Sequence, residues 1–168
     1  RGAHRCSTRS LSATAMALSG DGSWNGNVMS ACSQNRRRFL SLWLPRLPID
    51  RIKRQLARGA PVNDEPSVVV TKQNNALQIF ALDDAAADLG LEIGLPLANA
   101  RAICPNLTVF DADAAADAKA LNDIADWCDR FTPLVALDSP HGLFLDITGC
   151  AHLFGGEAVM MRRLCDVL

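Results

Sequence analysis

Residues 138–149 read DSPHGLFLDITG, with two carboxylates, Asp138 and Asp146, on either side of an apolar run. Divalent cations take oxygen ligands, and a two-metal site holds its ions about 4 Å apart to clamp both the attacking and the leaving oxygen. Asp138 can reach a cation from a loop, but one carboxylate cannot hold two, and Asp146 is placed to orient the turn at Thr148-Gly149. Cys150, His152 and His141 suggest a softer metal site; zinc needs three or four preorganised ligands, and no fourth is evident. Arg36, Arg37 and Arg38 form a basic run that can neutralise phosphates, or serve equally as a solvated terminus.

These residues need elements to position them. FLSLWL (Phe39 to Leu44), stopped by Pro45, has the near-continuous apolar character of a strand buried on both faces, with Trp43 as core. Pro48 opens a helix with Ile49, Ile52 and Leu56 at helical spacing, Arg51, Lys53, Arg54 and Arg58 on its other faces, and Gly59 and Pro61 at its end. SVVVTK and ALQIFAL, joined by Gln73-Asn74-Asn75, form a β-hairpin. Asp83 and Asp84 precede an Ala-rich turn of helix ending at Gly90, a second short helix runs from Leu97 to Cys104, and LTVF adds a strand. Residues 111–130 form the longest helix, capped by Asp111 or Asp113, with Ala115, Ala118, Leu121, Ile124, Ala125 and Cys128 along one face and Trp127 as core. Leu134–Leu137 and Leu143–Ile147 pair as strands, and Glu157 begins a last helix. The order of strands and helices predicts an α+β domain.

The 168 residues suffice for one domain with a packed core. The net charge of -1 conceals a segregation: residues 1–58 carry 11 Lys/Arg against 2 Asp/Glu, and residues 59–168 carry 6 against 16. A basic end of this kind either faces a polyanion or is merely solvated. The six cysteines form no C-x-x-C pair, which argues against a zinc ribbon or a redox dithiol and for a reduced, cytoplasmic setting. No apolar run reaches the length of a bilayer span. Residues 1–35, rich in Ser, Gly, Ala and Asn, are expected to be a disordered, dispensable leader, an upstream extension that ends near Met29; a targeting peptide is the competing reading, since Arg1, Arg5 and Arg9 precede the apolar LSATAMAL.

Three collinear blocks, RRRFLSLWLPRLPIDRI, DDAAADLGLEIGLPLANARAICPNLTVF and DRFTPLVALDSPHGLFLDITGCAHLFGG, resemble the Y-family of translesion DNA polymerases over residues 36–156. The resemblance implies an α+β fold: an antiparallel palm sheet with packed helices in residues 36–45 and 114–168, incomplete at its C-terminal end, and a small fingers subdomain in 46–113. It also implies a pair of magnesium ions held by an Asp on the first strand and by the Asp and Glu of a Ser-x-Asp-Glu hairpin. Aligned without gaps, those three positions fall on Trp43, His141 and Gly142. The Tyr-x-x-Arg that grips the triphosphate falls on Asp84 and Ala87, and the aromatic pair that excludes ribose falls on Leu47 and Pro48.

An indole offers one N–H donor and no anionic oxygen, and an Asp facing a triphosphate repels it. The hairpin thus keeps its packing residues, Leu143, Phe144, Leu145 and Ile147, without the metal ligands. This pattern is similar to the ImuB-type branch, which implies a non-catalytic adaptor of damage-induced (SOS) error-prone synthesis in bacteria, cytoplasmic and nucleoid-associated, with no cofactor. The partners so implied are an ImuA-type RecA-like protein, an error-prone C-family polymerase and, through a C-terminal region missing here, the sliding clamp; weak DNA binding would run through Arg36, Arg37 and Arg38. Two other readings stand beside it: an active translesion polymerase, and a small α/β interaction domain with no tie to DNA.

Overall fold

The computed structural model describes residues 4–5, 14–19, 37–58 and 65–168. In chain order the elements are strands β1 (His4–Arg5), β2 (Thr14–Ser19) and β3 (Arg38–Trp43), helix α1 (Leu47–Ala57), strands β4 (Ser67–Gln73) and β5 (Ala76–Leu82), and helices α2 (Asp84–Asp88) and α3 (Leu97–Ile103). Strand β6 (Thr108–Asp111), helix α4 (Ala114–Cys128), strands β7 (Val135–Asp138) and β8 (Gly142–Asp146), a 3-10 turn at Ala151–Phe154 and helix α5 (Glu157–Val167) follow. The fold is α+β. It divides into two compact units, Leu44–Leu121 and a discontinuous unit of Arg1–Trp43 with Asn122–Leu168.

The continuous unit is built on a three-stranded sheet of order β5-β4-β6. Central strand β4 is buried on both faces, as its unbroken Ser67-Val-Val-Val run predicts. Val68 and Val70 join Ile79, Ala86, Leu91, Leu97 and Ala100 in one cluster, and Val69 joins Ile49 and Ala81 in another. The β4–β5 hairpin turns through Asn74 and Asn75, both at positive φ (47° and 65°); asparagine tolerates this region, and the two-residue turn matches the twist of the strands. Helix α1 starts with Pro in its first turn and buries Leu47, Pro48 and Ile49. Leu56, expected on its apolar face, is 52% exposed.

The discontinuous unit holds a sheet of order β1-β2-β3-β8-β7. Leu40 and Leu42 of β3 and Leu143 and Leu145 of β8 are fully buried, as are Met160 and Leu164 of α5. The expected disorder of residues 1–35 does not hold at Thr14–Ser19, where β2 pairs antiparallel with β3 along six residues, Thr14 opposite Trp43 through Ser19 opposite Arg38. An apolar stretch beside an open edge of β3 satisfies that edge's backbone groups, which no periodicity of the stretch itself announces. His4 and Arg5 also pair, with β2; the rest of 1–35, Arg36, Gly59 and Pro61 lie outside the described residues.

Two further expectations shift. Trp43 is not core; it is 54% exposed, because alternation along β3 puts Leu40 and Leu42 on the buried face and Trp43 on the other. On α4 the buried stripe is Asp117, Leu121, Ile124 and Cys128, whereas Ala115 and Ala118 are exposed. Trp127 is half-buried, with its ring 5.2 Å from Phe131 and the Arg130 guanidinium 4.9 Å from its centroid.

Candidate functional site

Sheet register brings part of the sequence-derived site together. Trp43 lies opposite Gly142, and Gly142 lies opposite Asp138. The three form one cross-strand row over β3, β8 and β7, and such partners project to the same face. Gly142 bears on the row through space rather than through backbone freedom. A Cβ at this position would stand 3.1 Å from the Cβ, carbonyl oxygen and Oδ2 of Asp138, so a side chain here is tight and Asp138 would have to give by a few tenths of an ångström. The Asp138 carboxylate therefore leans over the glycine. His141 adjoins the row in the turn Ser139-Pro140-His141, whose Ser139-Pro140 peptide is cis, and is half-buried. Chemically, the row presents an indole, a glycine and one exposed carboxylate.

Asp146 takes the structural part expected of it. Its Oδ1 accepts the Thr148 N–H at 2.9 Å, and the Thr148 Oγ1 accepts the N–H of Arg38 at 2.9 Å. Hydrogen bonds from Thr148, side chain first and backbone second, hold the Asp146 carboxyl below its ordinary value of 3.8, with Arg37 adding a smaller pull. Cys150 donates to the Thr148 carbonyl, 3.8 Å away. Among the described residues no three His, Cys, Asp or Glu side chains group as a metal site would need.

Asp84 and Ala87 belong to the continuous unit, on α2. The Asp84 side chain is 72% exposed and Oδ1 accepts from Arg46 Nη1; Ala87 is exposed. Asp83, read from sequence only as preceding this helix, holds the turn in place. Its Oδ1 accepts from Ala86 N at 2.8 Å as the helix cap, while Oδ2 accepts from Ser67 N at 3.1 Å and from Lys53 Nζ. Leu47 and Pro48 are buried in the first turn of α1.

The segregated charge has a structural explanation that was available in the sequence but ambiguous there. Arg38–Glu157, Arg46–Asp84, Arg51–Asp117 and Lys53–Asp83 each join the basic first third to the acidic remainder. Both side chains of the Arg51–Asp117 pair are about nine-tenths buried, with Nε 2.7 Å from Oδ1. Much of the basic end thus answers carboxylates of the same chain. Of the candidate DNA contacts, Arg38 is held by Glu157, Arg37 is exposed, and Arg36 lies outside the described residues.

The fold is that of the palm and fingers of Y-family DNA polymerases. A Y-family chimera, Dbh-Dpo4(243-245)-Dbh, superposes with a TM-score of 0.64 at 15% identity, covering 75% of this chain and 37% of that one. Residues 54–168 match the impB/mucB/samB (IMS) family, and the chain belongs to it. Protein ImuB of Caulobacter vibrioides (strain NA1000 / CB15N) is 53% identical over 80 residues, 48% of this chain and 18% of that protein. DNA polymerase IV of Alkaliphilus oremlandii is 26% identical over 113 residues, 67% of this chain and 28% of that protein. The chain spans under a third of either relative in these matches. No helix among the described residues is long and apolar enough to cross a membrane.

Proposed function

We propose that the chain is a non-catalytic Y-family homologue, an adaptor in error-prone translesion DNA synthesis and damage-induced mutagenesis, with its palm in 36–45 and 114–168 and its fingers in 46–113. Membership of a polymerase family and the ImuB likeness give the polymerase-like part of this reading. The Trp43–Gly142–Asp138 row carries the rest. Two magnesium ions need bridging carboxylates; an indole N–H, a glycine and a single aspartate do not fit them, and a carboxylate added at position 142 would crowd Asp138.

The triphosphate position is similarly altered. Asp84 there places a carboxylate, paired with Arg46, where the resemblance expects a phosphate-gripping Tyr. The protein acts in the bacterial cytoplasm at the nucleoid, through an ImuA-type RecA-like protein, an error-prone C-family polymerase and the sliding clamp, with Arg36 and Arg37 lending weak DNA contact.

Partner binding tests this directly. A longer chain containing these residues, mixed with an ImuA-type protein and the C-family polymerase, is expected to elute with them in one complex from size exclusion. Separate elution at micromolar concentrations of all three would contradict the adaptor role.

A further inference from the structure

Strand β2 holds its place on the sheet by little besides its pairing with β3. In its sequence, Thr-Ala-Met-Ala-Leu-Ser, Thr14 alone is β-branched, and alanine is a weak strand former. Its other edge is nearly bare, since among the described residues β1 meets it at Thr14 and Ala15 alone. Residues 20–37 connect Ser19 to Arg38, although these two are cross-strand partners that a two-residue turn could join. Loop closure costs more as a connection lengthens, so this one holds β2 in place roughly 30-fold less well than a tight turn would.

Strand β3 is anchored without β2. It pairs with β8 from Phe39 to Trp43, and its Leu40 and Leu42 are fully buried, as are Leu143 and Leu145. If β2 leaves, β3 keeps its place and presents a row of open N–H and C=O groups, a template to which an extended segment adds. The register defines that segment. The positions opposite Leu40 and Leu42, where Ala17 and Ala15 now stand, share the buried face of β3, so they admit apolar residues and reject charge. The positions opposite Phe39 and Ser41 share the other face, where both are half-buried, and tolerate polar residues.

We propose that the outer edge of β3 is a binding site for an extended segment of a partner protein, kept closed in cis by Thr14–Ser19. The partner strand runs antiparallel to β3, as β2 does, and carries apolar residues at the two alternate positions opposite Leu40 and Leu42. The proposal stands on strand register and holds or fails independently of the adaptor reading.

The test uses the full chain, as wild type and with Ala15→Asp plus Ala17→Asp, which sets two unpaired carboxylates against the buried face and releases β2. The probe is a fluorescein-labelled peptide of residues 12–21, read by anisotropy. Freed of its tethered competitor, the released chain is expected to bind this peptide about tenfold more tightly than wild type, or better. A peptide that itself carries Ala15→Asp and Ala17→Asp should lose this binding, whereas one carrying Met16→Asp and Leu18→Asp should keep it. Amide exchange along β8 should stay slow in the released chain. Equal affinity for the two chains, equal loss from the two pairs of aspartates, binding to neither chain, or fast exchange along β8 overturns the proposal.

Discussion

Replacing Asp83 by alanine removes three contacts made by one carboxylate, and the cost can be worked from each. The lost cap on Ala86 N, 2.8 Å from Oδ1, is worth about 1 kcal/mol. Ser67 is 5% exposed, so stranding its N–H adds about 1–3 kcal/mol. The Lys53 side chain is 26% exposed, and screening limits that pair to under about 1 kcal/mol. Because the three share a carboxylate they do not add fully, and Asp83→Ala is expected to destabilise by about 3 kcal/mol. Asp83→Asn, which keeps one acceptor, should lose roughly half as much, and Lys53→Met under about 1 kcal/mol. Urea unfolding followed by circular dichroism gives the totals, and amide exchange at Ser67 and Ala86 locates the loss within Leu44–Leu121. A loss below about 1 kcal/mol for Asp83→Ala, or one equal to that of Lys53→Met, would mean that Asp83 does not hold this turn.

Asp117→Ala strands Arg51 in a mostly buried position and should cost about 3 kcal/mol or more, while the double change Arg51→Met with Asp117→Leu should recover most of it in the same unfolding assay. The Asp146 carboxyl is depressed in the folded state, so it contributes stability that is fully present above its unfolded value and is lost as pH falls through the lower folded one; Thr148→Val should raise the Asp146 value in a carboxyl-carbon NMR titration and reduce the acid dependence of stability below about pH 4. Burial, with Asp129 adding to it, pushes the Cys128 thiol up to about 12, so a disulfide reagent at pH 8 should leave Cys128 unmodified in the native protein and modify it in urea.

What the sequence made legible follows from which interactions are local. The β4–β5 hairpin could be read because its strands are rich in branched residues and two asparagines at its turn accept positive φ. The resemblance brought Trp43 and Gly142 together but not Asp138, which is far from Trp43 in sequence and joins it only through the register at Gly142. Trp43 looked like core because FLSLWL has few polar residues to mark its exposed face. Asp117 broke the reading of α4, since a carboxylate enters an apolar stripe only when a distant cation, Arg51, waits there. The same blindness hid β2, whose partner strand begins 19 residues after it ends.

Primer extension separates a non-catalytic homologue from an active polymerase. The chain used should be a longer one containing these residues, so that weak grip on DNA does not imitate missing chemistry. It is assayed with saturating primer-template, all four deoxynucleotides, and magnesium or manganese, beside Asp138→Ala. Extension that Asp138→Ala leaves untouched belongs to a contaminating polymerase. With Trp43 and Gly142 in the row, no extension above background is expected; extension that disappears with Asp138→Ala would mean that the chain is a polymerase after all.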